Sequence, residues 1–260
     1  MMNGNLNDRM IGRRRMLIGA AQAAGLLVLA GCDNLSRSDW FTSLLGKTEG
    51  ITKRAQRLIS PRQAMAKEFT DADLSPVFPA NGNRDPENPE YQRMTQHGFV
   101  DWKLHVGGLV QRPIAFSLAE LRGLPSRTQI TRHDCVEGWS AIGKWKGAQL
   151  RQIIEQAQPL PSARYVVFHC ADPDEDGLSY YESIDFDDAF HPQTILAYEM
   201  NDQPLPIAHG APVRLRVERQ LGYKHAKYVM RIELVESLEG IGRGKGGYWE
   251  DQGYEWYAGI

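Results

Sequence analysis

From Trp102 to Val235 the chain runs through short β-branched and aromatic stretches broken repeatedly by turn chemistry, and this spacing limits the fold more than any other feature. Trp102, Leu104 and Val106 alternate ahead of Gly107-Gly108, which reads as a strand followed by a turn. Thr128, Ile130 and Arg132 alternate towards Cys135. Tyr165–Cys170, Tyr180–Ile184, Ile195–Met200, Val213–Val217 and Tyr228–Val235 read as further strands. Helical signals are few. Ser117-Leu118-Ala119-Glu120 is a capping box before a short helix, and Leu150, Ile153, Ile154 and Ala157 share one helical face before Pro159. Many short strands with few helices predict an α+β class, mixed and mainly β, over residues 81–260. Its first residues, Asn81 to Pro89, carry the Asn, Gly, Asp and Pro of a loop.

The N-terminus has a different character. Arg13-Arg14-Arg15 precedes an apolar run from Met16 to Ala30 in which Gln22 is the only polar residue. A basic segment before a short apolar one reads as a signal peptide, and Gly12-Arg13-Arg14-Arg15-Met16-Leu17 resembles the twin-arginine export signal. Leu29-Ala30-Gly31-Cys32 resembles a bacterial lipobox, with Cys32 carrying the lipid; an ordinary signal peptide with an incidental cysteine is the alternative. Residues 1–32 are therefore expected to be an export signal and 33–80 a polar tether that wraps the domain. Within that tether, Ile51, Ala55, Leu58 and Ile59 fall at helical spacing. The expected location is periplasmic, held to a membrane through acyl chains on Cys32.

Bulk properties exclude several classes. A formal net charge of −2 gives no electrostatic footprint for nucleic acid. The three cysteines, Cys32, Cys135 and Cys170, form no CxxC pair, which argues against an iron–sulfur cluster, a structural zinc or a covalently attached haem.

Chemistry concentrates in Thr131-Arg132-His133-Asp134-Cys135-Val136-Glu137-Gly138-Trp139-Ser140. A cysteine leaving a strand into a Gly-containing loop can face a cavity, and Arg132 and His133 are expected to favour its thiolate. The plainer alternative is a buried cysteine that fills space. Downstream, His209-Gly210-Ala211-Pro212-Val213-Arg214-Leu215 and Gly222-Tyr223-Lys224-His225-Ala226-Lys227 bring cations and glycines together. In order and approximate spacing, these three segments resemble the sulfite oxidase family of molybdopterin-dependent oxidoreductases, and in particular its periplasmic protein-methionine-sulfoxide reductase branch.

That resemblance implies a molybdopterin cofactor whose molybdenum is ligated by Cys135 and alternates between its VI and IV states as an oxygen atom moves to or from substrate. It also implies cofactor contacts from Asn81, Tyr91, His209, Arg214, His225, Ala226 and Lys227, with Lys227 and the Gly222 loop receiving a phosphate. Arg132, Glu137 and Trp139 are expected to shape the reacting pocket. Arg214 could instead be an ordinary paired position of an alternating strand, Lys224 a surface lysine, and Asn81-Gly82 a simple turn. Cys170 reads as a core cysteine. The aromatic C-terminus, Tyr248 to Tyr257, reads as packing, with lining of the site entrance as the second choice.

The acidic and aromatic residues after Cys135 disfavour an oxyanion and favour a neutral oxide such as a sulfoxide, free or protein-bound. His209 stands where the sulfite-oxidising branch is similar, which keeps sulfite oxidation as the alternative direction. An external electron carrier, a cytochrome or a membrane haem subunit, completes the expectation. The rival from another class is a non-enzymatic β-rich envelope lipoprotein with a Cys135–Cys170 disulfide.

Overall fold

The computed structural model describes residues 63–173 and 179–260. The export signal, Cys32 and the helix expected around Ile51–Ile59 lie outside the described residues. In chain order the strands are β1 Lys103–Gly108, β2 Ile114–Ser117, β3 Ser126–Asp134, β4 Ser140–Gln149, β5 Tyr165–Pro173, β6 Ser179–Asp185, β7 Ile195–Met200, β8 Gln203–Pro204, β9 Arg214–Arg216 and β10 Val229–Val235. The helices are α1 Pro89–Gln96, α2 Leu118–Gly123, α3 Leu150–Ala157, α4 Phe186–Ala189 and α5 Tyr248–Asp251. The α+β, mainly β expectation holds.

Two sheets form. The first has the order β2-β1-β10-β5-β6, and its β1–β10 pair is parallel while its other pairs are antiparallel. The second has the order β3-β4-β7-β8, with β9 also paired to β7. The main core draws Leu104, Val106, Val166, Phe168 and Ile232 from the first sheet and Ala148, Leu196, Tyr198 and Leu215 from the second. Helix α3 adds Leu150, Ile153, Ile154 and Ala157, all with no exposed surface. Burial of each larger side chain contributes about 1.5–3 kcal/mol before cavity terms. The helix stops at Gln158, which turns left-handed with φ 56° ahead of Pro159.

Strand β7 is buried on both faces: Leu196 and Tyr198 join the main core, while Ile195, Ala197 and Met200 pack with Trp145, Leu205 and Phe78 on the opposite side. Phe78, packed on this second cluster, reaches the site.

Three expectations change. Gly107-Gly108 is the end of β1, paired with Glu233 and Leu234 of β10; the bare glycine backbone lets β10 approach, and a Cβ on Gly108 would sit 2.3 Å from the Leu234 carbonyl oxygen. In β3 the buried side chains are Gln129, Thr131 and His133, with Ile130 also covered, so the inward face is polar. Helix α1 lies where no helix was expected; Asn88 caps it by accepting from the backbone N–H groups of Glu90 and Tyr91, with Pro89 in the first turn. Residues 63–80 follow the edge of the second sheet: Phe69 N donates to the Ile130 carbonyl at 2.9 Å and Ser75 N to the Ile142 carbonyl at 3.1 Å.

Candidate active site

Strands β3 and β4 are joined by a tight loop that presents Cys135. Cys135 N donates to the Trp139 carbonyl at 2.9 Å and Gly138 N to the Cys135 carbonyl at 3.0 Å. The loop turns at Gly138, whose φ of +88° suits a residue without a side chain. Cys135 is a free thiol, half-buried, in the wall of a cavity of about 310 Å³. Asn81, His133, Glu137, Trp139, His209, Arg214, His225 and Lys227 share that wall.

The Asn81 amide Nδ2 donates to Cys135 Sγ at 3.2 Å. Its loop is fixed from below. Lys227 Nζ donates to the carbonyls of Asn81 at 2.7 Å, of Asn83, and of Ala208 at 3.2 Å, and Tyr228 donates to the Asn83 carbonyl at 2.9 Å. Lys227 is thus committed to backbone oxygens rather than offered as a point charge to a phosphate, which revises its expected part. Burial, with Arg214 adding to it, lowers its pKa to about 7.

His133 rests on a buried charge network. Arg216 donates to His133 Nδ1 at 3.0 Å and, through Nη2 and Nε, to Glu218 at 2.6 and 2.8 Å; Gln129 also donates to Glu218, at 2.9 Å. A guanidinium can only donate, so His133 Nδ1 accepts and its proton is on Nε2. That nitrogen abuts Gly222, where a Cβ would come within 2.5 Å of it. Burial and the adjacent Arg216 hold His133 far below its ordinary value, so the ring is neutral. Arg132 is exposed and paired with Asp134 at 2.9 Å, outside the cavity. The expectation that Arg132 and His133 supply positive charge to Cys135 is therefore corrected: one ring is neutral and the other cation faces away.

Arg214 is a further cationic residue of the cavity wall. It donates to the His209 carbonyl at 3.1 Å and the His225 carbonyl at 3.4 Å, and lies 5.1 Å from the Trp145 ring centroid. Burial and the neighbouring Arg216 pull its pKa down to about 9, and its Nε–H has no hydrogen-bond partner. His225 donates from Nε2 to the Gln220 carbonyl at 3.1 Å, which leaves a bare lone pair on Nδ1, also without a partner. Asp172 Oδ1 is a third such atom; burial raises its carboxyl to about 7. Buried polar groups are normally satisfied. An unmet donor and unmet acceptors around one cavity, beside a thiol, fit a polar anionic ligand carrying its own donors, as a pterin cofactor does. His209 is pushed down to about 4 by burial and Arg214, so it meets such a ligand uncharged.

Two expected contacts stand away from the cavity. Tyr91 is wholly buried and donates its hydroxyl to the Ala211 carbonyl at 2.7 Å; Ala226 is buried in the core. Neither lines the wall. Lys224 is not a surface residue either: it has no exposed surface and pairs with Glu182 at 2.5 Å and with Glu250. Cys170 is a buried free thiol that burial holds well above the ordinary thiol range, so no disulfide joins it to Cys135.

The lining also includes residues not singled out from sequence. Phe78 stands 5.3 to 5.7 Å from the rings of Trp145, His133 and His209. Tyr248, Trp249 and Tyr254, expected first to pack and second to line the entrance, line the cavity, so the second choice holds for them. Only the density of aromatic residues after Gly247 signalled this.

Residues 91–239 match the family model of the oxidoreductase molybdopterin binding domain. The chain belongs to this family. It is a molybdopterin-binding oxidoreductase, and the cofactor expectation stands. A relative from Azospira oryzae, named as protein-methionine-sulfoxide reductase subunit YedZ1, is 36% identical over 95% of this chain and 87% of its own length. The protein-methionine-sulfoxide reductase catalytic subunits MsrP of Campylobacter jejuni and Xanthomonas axonopodis are 34% and 37% identical. The alignments cover 52% and 53% of this chain and only 50% and 46% of theirs, so the chain spans about half the length of these two relatives. Membership of a molybdoenzyme family also replaces the envelope-lipoprotein rival.

Proposed function

We propose that this oxidoreductase reduces a sulfoxide to a thioether at the cavity beside Cys135. The observation that carries the reading is the mouth: Glu137 and Trp139 line it together, with the Trp139 indole donating to the Glu137 carboxylate at 3.3 Å. A carboxylate at the entrance repels an oxyanion such as sulfite and tolerates a neutral oxide. The names of the relatives above agree with this substrate class. Conversion of a sulfoxide consumes two electrons and two protons and yields a thioether and water.

Cys135 is the proposed protein ligand to molybdenum, a soft sulfur donor suited to it. Asn81 holds the sulfur in place, Arg214 and His225 offer the unmet donor and acceptor to the cofactor, and neutral His209 and His133 line the pocket without adding charge. The cofactor supplies two-electron oxygen-atom exchange when bound. Electrons enter from an external one-electron carrier, a cytochrome or a membrane haem subunit. Export through the twin-arginine route, lipid attachment at Cys32 and residence in the periplasm form part of the same proposal, supported by residues 12–17 and 29–32.

The test is steady-state turnover of purified, molybdenum-replete protein. Reduction of methionine sulfoxide by reduced viologen dye, with negligible oxidation of sulfite by cytochrome c, is the expected result. Fast sulfite oxidation without sulfoxide reduction would reverse the direction, the outcome that His209 favours.

A further inference from the structure

The family match ends at residue 239, but the cavity wall continues past it. Tyr248, Trp249 and Tyr254 come from the final segment of the chain and line the cavity with Tyr223. Trp249 and Tyr254 stack, with centroids 5.3 Å apart and 28° between planes. Tyr248 meets Trp249 edge-on at 5.4 Å, and Tyr223 meets Tyr254 edge-on at 5.2 Å. Yet Trp249 and Tyr254 remain 39% and 40% exposed. Val136, in the loop that carries Cys135, is 43% exposed and lines the same cavity. Large apolar surfaces left open together beside a cavity mark a binding surface rather than packing.

The wall is built rather than draped. Helix α5 carries Tyr248 and Trp249 and also Glu250, which is fully buried against Lys224. Tyr223 donates its hydroxyl to the Glu255 carbonyl at 2.6 Å, and Leu221 N donates to the Ala258 carbonyl at 2.9 Å. The aromatic segment is therefore tied to the Gly222–Lys224 turn, whose first residue abuts His133. A rigid aromatic face binds without losing much side-chain freedom.

We propose that Trp249 and Tyr254, supported by Tyr223 and Tyr248, are the seat for the carbon portion of the substrate and set the preference among sulfoxides. This rests on the reduction proposed above. A methyl group and chain methylenes next to sulfur, together with the polarizable sulfur itself, lie favourably on aromatic faces and edges. A minimal dialkyl sulfoxide covers little of this wall, whereas a methionine sulfoxide side chain with flanking peptide covers much more. The wall therefore separates substrates by the size of their apolar portion.

The experiment compares the molybdenum-loaded wild type with Trp249→Ala, Tyr254→Ala and Trp249→Phe, using reduced viologen dye as donor. The substrates are a short peptide containing methionine sulfoxide and dimethyl sulfoxide. In both alanine variants the ratio of kcat/KM for the peptide to that for dimethyl sulfoxide falls about tenfold, the scale of losing one or two sulfur–aromatic contacts. The loss is carried by KM for the peptide, and Trp249→Phe recovers most of it. An unchanged ratio, or equal losses on both oxides at normal molybdenum content, overturns the seat. So does a defect that disappears at high dye concentration, which would make the wall a dock for the electron carrier. A wild type that reduces neither oxide removes the reduction itself, whereas one active on both with unaffected ratios in the variants removes the seat alone.

Discussion

The Asn81 amide lies 3.2 Å from the Cys135 sulfur, and Lys227 holds the backbone of Asn81 at 2.7 Å from below. The residue that orients the thiol is thus itself positioned by a half-buried lysine from a distant part of the chain. The N–H donated to sulfur fixes the direction in which the Cys135 side chain points. Asn81→Ala is expected to lower kcat by about twofold to tenfold, the range set by losing an exposed hydrogen bond of about 0.5–1.5 kcal/mol. Cys135→Ala should abolish sulfoxide turnover and alter the Mo(V) signal by electron paramagnetic resonance. A Cys135→Ala protein with wild-type turnover would remove Cys135 from the metal.

Glu218 anchors the other side of the site. It accepts from Arg216 at 2.6 and 2.8 Å with neither side chain exposed, and Arg216 in turn fixes the tautomer of His133. Glu218→Gln leaves a buried guanidinium without its counter-charge and should destabilise the protein by about 3–5 kcal/mol. Thermal unfolding of the metal-free chain measures this. A Tm within a degree or two of wild type would refute it.

Acid stability follows from His209 and Asp172. His209 titrates at about 4 in the fold against 6.5 when unfolded, so the unfolded chain takes up the proton first. Its contribution is complete above about pH 6.5 and is lost as pH falls towards 4; His225, also lowered by burial, acts in the same sense. Asp172 opposes them. Its carboxyl is raised from 3.8 to about 7, so its contribution is complete below about pH 4 and is lost as pH rises through 7. Denaturant unfolding of the metal-free protein from pH 7 to 4 should show falling stability that flattens in His209→Gln and steepens in Asp172→Asn. The opposite pair of slopes would contradict the assignment.

Lys224 joins β6 to the C-terminal segment through Glu182 and Glu250. Burial and the nearby Glu250 push Glu182 well above the usual carboxylate range. Lys224→Met should cost about 3–5 kcal/mol by stranding buried carboxylates, whereas Glu250→Gln, which keeps a one-to-one pair, should cost far less. Equal losses in the two variants would show that the ion cluster does not act as a unit.

The parts of the fold that announce themselves are the ones governed by apolar burial. Strands β7 and β10 and helix α3 carry Ile, Leu and Val at positions that decide their packing, and their periodicity is plain. Strand β4 escaped notice because its inward positions, Trp145 apart, are Ala141, Gly143, Gly147 and Ala148, small residues that let strands and rings approach rather than an apolar stripe. The polar inner face of β3 misled for the opposite reason: Gln129, Thr131 and His133 are buried because Arg216 and Glu218 complete their hydrogen bonds from far along the chain. In the site, Cys135, Asn81, His209, Arg214, His225 and Lys227 were all reachable from motif order. That Lys227 is spent on carbonyls, that Tyr91 and Ala226 turn into the core, and that Lys224 is sealed between carboxylates depend on contacts no local window contains.

The parallel pairing of β1 with β10 joins the first strand of the domain to the last, His105 beside Arg231. Everything between them, including Cys135 and Arg214, belongs to one long closed loop, and the aromatic wall follows after it. Non-local pairings of this kind are slow to form because the chain must be ordered over a long span before any contact is gained. A nascent chain emerging from the ribosome therefore cannot complete the central sheet until β10 has appeared, and cannot finish the cavity until Tyr254 has followed. The aromatic wall of the cavity is thereby the last part of it to be made, an ordering in time imposed by topology alone.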